Sequence, residues 1–398
     1  MNLGEVKQYR GQLREAEANF TEGLKIHKNI KVPTSRPKNL LGMLYLEQGN
    51  IEKAEPFIIE AGYSGSTGRL FLIKKDHTKA KESYENLLKS AEKNRNADAF
   101  FTAHTGLGIV WEEMGDNARA AEHYSKAVDY TEDLRASISP SARESFFDVK
   151  VEGFIRTEPY KGLARVLVKM KRPGEALRQS EACRARIFAE TLSRRSFGLS
   201  SDVPKDVMVQ DDLLNNQIAA LTKNLQAAYE KWNKLTIYAL EPQIKELKAK
   251  HATHVAMLRK QYPLFAATKY PQPMGLEQSA LKDDEWVIAY DLTDSGILIY
   301  LTKGKYIVKT LFRPVSREEV DVLVRKFRDS MELTPEESLA CAKQGLKQSV
   351  CLMRKISTFD FASSKKLADL LLGDILSDLP KDTPVIIVPD GSLGVVPF

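Results

Sequence analysis

The chain has 398 residues, 43% hydrophobic and 28% charged, and its 59 Lys and Arg against 53 Asp and Glu leave a net charge of +6. That length predicts about two to three domains, and no apolar run reaches the ~18 residues that a membrane span needs. The N-terminus shows no secretory signal, and the basic excess is mild and interleaved, which argues against a nucleic-acid binder with its basic stripe.

The first half repeats itself. One copy reads Leu3-Gly4, Lys7, Gly11, Ala16, Phe20, Gly23, and the next reads Leu41-Gly42, Tyr45, Gly49, Ala54, Ile58, Ala61. A degenerate copy carries Gly68, Phe71, Ala80, Tyr84 and Leu87. The best copy is Leu107-Gly108, Trp111, Gly115, Ala120, Tyr124, Ala127, and a last one carries Tyr160, Leu163-Ala164, Leu167, Ala176, Ser180 and Cys183. Small residues on one helix let a second approach closely, and the aromatics fill the gaps between units. Phe20, Tyr84, Trp111 and Tyr124 are therefore expected as packing residues. The pattern resembles the tetratricopeptide repeat, a helix-turn-helix unit of about 34 residues. Such units need neighbours and caps. Met1 falls inside a first helix without a cap, so further repeats are expected upstream.

The resemblance implies an inner face, lined by the first helices, that docks a protein or peptide. On this chain that face includes Met43 and Thr105, with Asn39, Glu47, Glu112, Glu113, Lys161, Arg165 and Lys169 as the expected partner-binding residues. Some family members clamp a C-terminal carboxylate with two Lys and two Asn. Here Met43 stands where a second Asn is wanted, which argues against that ligand.

Arg184, Arg186, Arg194 and Arg195 have Glu181 and Glu190 among them and read as a solvated helix face. Ser196 to Asp206 reads as a linker. A heptad seam follows, Leu214, Ile218, Leu221, Leu225, Ala228, Trp232 and Leu235. After Pro242 a second helix carries Ile244, Leu247, His251, Val255 and Leu258, completing an antiparallel hairpin. His251 and His254 share a helix side, but two ligands are too few for a metal site. No cofactor is expected. Cys183, Cys341 and Cys351 form no disulfide framework and are read as free thiols in a reducing cytoplasm.

From Trp286 the period becomes that of strands: Trp286–Leu292, Gly296–Thr302 and Lys305–Phe312 form a meander. Ser316 with Glu319 and Thr334 with Glu337 start helices, and Val320, Leu323, Val324, Phe327 and Met331 mark the apolar face of the first. Leu367, Leu370, Leu371 and Ile375 mark another. The run Val385–Val388 reads as a buried strand ending in the Pro389-Asp390-Gly391 turn. It needs parallel neighbours and a crossover. None follows Phe398, so the chain is expected to continue in a longer protein.

The segment Glu181–Leu192, the meander opened by Trp286–Leu292, the helix Leu367–Leu376 and the ending Val385–Phe398 together resemble the CHAT family, caspase-like domains often attached to tetratricopeptide arrays. The expected architecture is a repeat α-superhelix over residues 1–195, a linker and helical hairpin over 196–262, and the first part of a caspase-like α/β domain over 263–398. The resemblance implies a cysteine endopeptidase whose catalytic His and Cys lie beyond Phe398, with the repeats as its docking and regulatory half. On this reading the 398 residues have no peptidase activity of their own. The competing reading is a non-enzymatic repeat adapter with an inert tail.

Overall fold

The computed structural model describes residues 2–138, 146–147, 149–194, 203–270, 275–357 and 359–396. Most of the expected linker, and the final Pro397-Phe398, lie outside the described residues. By internal contacts the chain falls into two compact units: Met1–Val166 with Ala182–Pro273, and Leu167–Glu181 with Met274–Phe398.

In the first unit, short polar side chains punctuate the helices. Asn50, Asp76, Asn96 and Asp116 each accept a hydrogen bond from the backbone N–H three residues on, satisfying an otherwise orphaned donor. The helices pair in sequence: α1 (Asn2–Tyr9) with α2 (Leu13–Asn29), α3 (Ser35–Glu47) with α4 (Ile51–Ala61), α5 (Ser64–Ile73) with α6 (His77–Asn94), and α7 (Ala97–Glu113) with α8 (Asn117–Ser137). Phe20, Tyr84 and Tyr124 are fully buried in the spaces between them. Glycines make those spaces. A Cβ on Gly106 would lie 2.4 Å from the Tyr84 ring, and one on Gly162 would lie 2.4 Å from the Tyr124 ring. Trp111, expected in the core, is instead half-buried, with Lys81 Nζ 4.9 Å and Arg119 Cζ 4.5 Å from its ring centroid.

A hairpin of β1 (Lys150–Val151) and β2 (Phe154–Ile155) precedes α9 (Glu158–Lys169) and α10 (Pro173–Arg194), and the division between units passes through both helices. Then come α11 (Lys205–Glu230), α12 (Lys234–Gln261) and α13 (Pro263–Lys269). The antiparallel pair is present, but its turn lies at Lys231–Asn233 rather than at Pro242. Trp232 takes a left-handed φ of +53°, and the Asn233 side chain caps α12. The expected seam therefore ends at Ala228. Trp232 is 54% and Leu235 84% exposed, while Pro242 sits inside α12.

The second unit is built on a four-stranded sheet ordered β5-β4-β3-β6, from β3 (Trp286–Thr293), β4 (Gly296–Lys303), β5 (Tyr306–Arg313) and β6 (Val385–Val388). The meander is antiparallel, and β6 runs parallel to β3 with Ile288 opposite Ile387. The parallel neighbour thus precedes β6 instead of following it. The crossover is α14 (Arg317–Asp329), α15 (Pro335–Lys343), α16 (Gln348–Ile356) and α17 (Phe361–Leu372). β6 is an edge strand in the described residues, and Ile386 is 45% exposed, so the expected burial on both faces does not hold. Alternate side chains Ile288, Tyr290, Leu292, Ile297, Ile299 and Leu301 pack against Val320, Leu323 and Val324 of α14 and Leu367 and Leu371 of α17. Their neighbours point to the opposite face. There Asp291 and Tyr300 meet the Ser180 hydroxyl at 2.5 and 3.1 Å, which ties residues 167–181 to this sheet.

Two of the three expected free thiols are not free. Cys341 and Cys351 form a disulfide joining α15 to α16, and Cys183 is buried. Thiol content therefore gives no argument for a reducing compartment. Among the described residues no helix is long and apolar enough to cross a membrane.

Candidate peptide-docking groove

The first helices α3, α5 and α7 present the face on which a partner was expected. Asn39, Met43 and Glu47 follow one another at four-residue steps along α3, so they share one side of the helix. The Asn39 side-chain oxygen is buried without a hydrogen-bond partner. Glu47 accepts from Gln8 at 2.8 Å and from Lys150 at 2.6 Å. Burial raises the Glu47 pKa, but these bonds from Lys150 and Gln8 outweigh it and hold the carboxyl below its ordinary value.

Lys150 belongs to the β1–β2 hairpin, which lies on this face. The Glu152 carboxylate accepts from the Ser66 hydroxyl of α5. A Cβ on Gly65 would lie 3.2 Å from Glu152 Cγ, and one on Gly153 would lie 3.2 Å from Met43 Cε. Phe154, 2% exposed, has Arg69 Cζ 4.8 Å from its ring centroid and the Tyr84 ring 6.2 Å away. Arg156 donates to Asp98 of α7 at 2.9 Å and covers the rings of Phe101 and Phe146.

Further along, Glu112 and Arg165 have turned away from solvent. Arg165 holds Glu112 through two hydrogen bonds of 3.1 and 2.9 Å, and its Nη2 lies 3.4 Å from both Glu158 and the Tyr124 hydroxyl. Burial opposes the Arg165 charge, but Glu112, Tyr124 and Glu158 outweigh it and hold its pKa well above the ordinary value. A bidentate guanidinium–carboxylate pair in this setting fixes the helices. Lys161 is buried as well. Glu113 is exposed and pairs with Lys75 at 2.7 Å and His77 at 3.2 Å. Lys169 is exposed and belongs to the second unit. The structure therefore places Asn39 and Glu47 on one side of α3, while Glu112, Lys161 and Arg165 are buried.

Residues 36–61, which are α3 with α4, match the tetratricopeptide repeat family model. The match supports a tetratricopeptide-repeat protein and does not extend to the second unit. The comparison with curated proteins gave no match for the chain.

Two other polar clusters in the first unit are structural. His254 Nε2 lies 3.4 Å from the buried Asp211, which also receives Lys269 at 2.6 Å and the Tyr270 hydroxyl at 2.8 Å. His251 Nε2 is 3.2 Å from the same Tyr270 hydroxyl, so the two histidines latch α12 and α13 to α11. His104 and His123 share a 2.9 Å Nδ1–Nδ1 hydrogen bond. In the second unit the Asp390 carboxylate accepts from the Leu292 N–H at 2.8 Å, fixing the turn after β6 to the end of β3. No His follows His254 in the chain.

The hairpin was missed in the sequence. Its signal is Val151-Glu152-Gly153-Phe154, a two-residue Glu-Gly turn between apolar residues. The strands are too short for an alternation to stand out.

Proposed function

We propose that the repeat unit is a docking arm that binds a peptide segment of a protein partner along α3, α5 and α7. The observation that carries this reading is the groove's side-chain inventory. Glu47 is a carboxylate for a base, Ser66 a donor for an acid, and Arg69 with Tyr84, both beside the Phe154 ring, a slot for an aromatic ring. Tetratricopeptide repeats serve protein–protein interaction as a family, and the matched copy is the one that carries Asn39 and Glu47. Selection of a displayed peptide library on the chain tests it. Enriched peptides should lose binding when Glu47→Lys reverses the charge at the groove. A library that enriches nothing sinks the reading.

A second reading concerns the sheet unit, as the start of a caspase-like domain that the arm would regulate. It is favoured by the parallel β3–β6 pair with the Asp390 turn at its carboxyl end, where open parallel sheets place their sites. Catalysis on this reading needs a His and a free Cys from residues beyond Phe398, because Cys341 and Cys351 are bonded to each other. Peptide-panel hydrolysis by the protein purified from its source, lost on thiol alkylation, supports it. An absence of hydrolysis leaves the adapter reading.

A further inference from the structure

The hairpin on the groove is strained and is held from outside. Glu152 has φ +48° and Gly153 has φ +84°. Two successive positive φ values make the tight hairpin turn for which Asn-Gly is the usual choice. A glutamate in the left-handed region costs energy and persists only where its surroundings hold it there. Two-residue strands have no stability of their own. What holds them here is a ladder of side chains at alternate positions. Lys150 reaches Glu47 on α3, Glu152 reaches Ser66 on α5, Phe154 lies under Arg69 of α5, and Arg156 reaches Asp98 on α7. Three consecutive first helices thus read a base, an acid, an aromatic ring and a second base. These contacts are the ones through which an incoming segment could be read.

We propose that residues 149–157 are a built-in occupant of the docking groove, and that the partner segment carries the same chemistry and binds by displacing them. That chemistry is basic, acidic, aromatic and basic side chains at alternate positions around a tight turn. The proposal rests on the docking-arm reading above. Exchange is feasible because the aromatic slot is refilled by the incoming ring and the turn strain at Glu152 is released. The first rung of the ladder is the accessible one: the Lys150 side chain is 54% and that of Glu47 31% exposed, whereas the Arg156 side chain at the far end is 9% exposed. A tethered occupant competes at high effective concentration. The apparent affinity for an external segment therefore falls by the fraction of molecules whose groove is open.

A lock tests this. The Sγ of a cysteine at position 152 would take the place of Glu152 Cγ, 3.2 Å from a Cβ at position 65, a separation that a disulfide spans. The double variant Gly65→Cys with Glu152→Cys should bind a cyclised peptide of residues Val149–Thr157 when reduced. Oxidation should weaken that binding by about tenfold or more. Hydrogen exchange on the wild-type chain is the second measurement. Saturating peptide should speed exchange at the Val151 and Phe154 amides, which face each other across the turn. Equal binding in the two redox states, or no binding by the reduced form, overturns the proposal, and so does exchange unchanged by bound peptide. If library peptides still bind an arm whose lock has no effect, the docking arm stands and only the displaceable occupant falls. If nothing binds in either state, both fall.

Discussion

The two units of this chain solve close packing in opposite ways. In the repeat unit the large residue is surrounded by absence. Tyr84 fills the space left by Gly68 and Gly106, and Tyr124 the space left by Gly108 and Gly162. In the sheet unit the large residues meet one another, as Ile288, Tyr290 and Ile299 press on Val324 and Leu371 across the face of the sheet. A glycine socket has a fixed volume set by two backbones, so it resists added atoms. A side-chain interface lacks that backbone wall and suffers most from removed ones. The difference teaches where each unit breaks.

The largest effect is expected where the repeat unit buries charge. Arg165→Met removes the guanidinium that bonds Glu112 and Glu158 and should cost about 3–5 kcal/mol in urea unfolding. Adding Glu112→Gln to that variant should recover part of the loss. A cost under about 1 kcal/mol would show that water reaches the network.

Ile288→Ala in the sheet unit should cost about 2–5 kcal/mol, because the methyls removed sit between α14, α17 and the strand. The matching test in the repeat unit adds an atom. Gly106→Ala, whose Cβ would press on Tyr84, should cost about 1–3 kcal/mol. If Gly106→Ala is neutral, the socket yields and the contrast between the units fails.

Acid should weaken the repeat unit. Burial, then the neighbouring His123, lowers the His104 pKa from 6.5 to about 4, with Lys126 adding to the effect. The unfolded chain then binds more protons than the folded one between about pH 6.5 and pH 4. Stability contributed by neutral His104 is present above that window and is lost as pH falls through it, by up to about 3 kcal/mol. His104→Phe should flatten this part of the stability profile, as thermal melts at successive pH values would show.

The smallest effect is expected at Tyr84→Phe. The Tyr84 hydroxyl is buried without a hydrogen-bond partner, so its removal should be neutral or stabilise by up to about 1 kcal/mol. A loss above that would mean a partner holds the hydroxyl in solution.

Legibility followed sequence distance. The copies built on Gly42 and Gly108 were readable because helix spacing and small residues recur within one unit. Trp111 misled because a matching position in the pattern does not fix burial. Its ring lies at the rim, where Lys81 and Arg119 cover it. Pro242 misled as a stop signal, since Asn233 had already ended one helix and capped the next. Glu112 and Arg165 were read as partner-binding residues of the inner face because each is polar on a first helix. Only their mutual approach, across 53 positions, shows that they satisfy each other.

The amino-acid sequence by itself determined what depends on neighbours a few residues apart: the helical repeats, the caps, the meander and the apolar faces of α14 and α17. Tertiary structure decided what depends on closing long loops. It paired β6 with β3, joined Cys341 to Cys351, set residues 167–181 against the second sheet and laid the Lys150–Arg156 stretch on the first helices. Local spacing is written in the order of residues because a helix or hairpin repeats at a fixed step. A contact between distant segments has no such step, and it forms only where burial and paired charge outweigh the entropy of bringing those segments together.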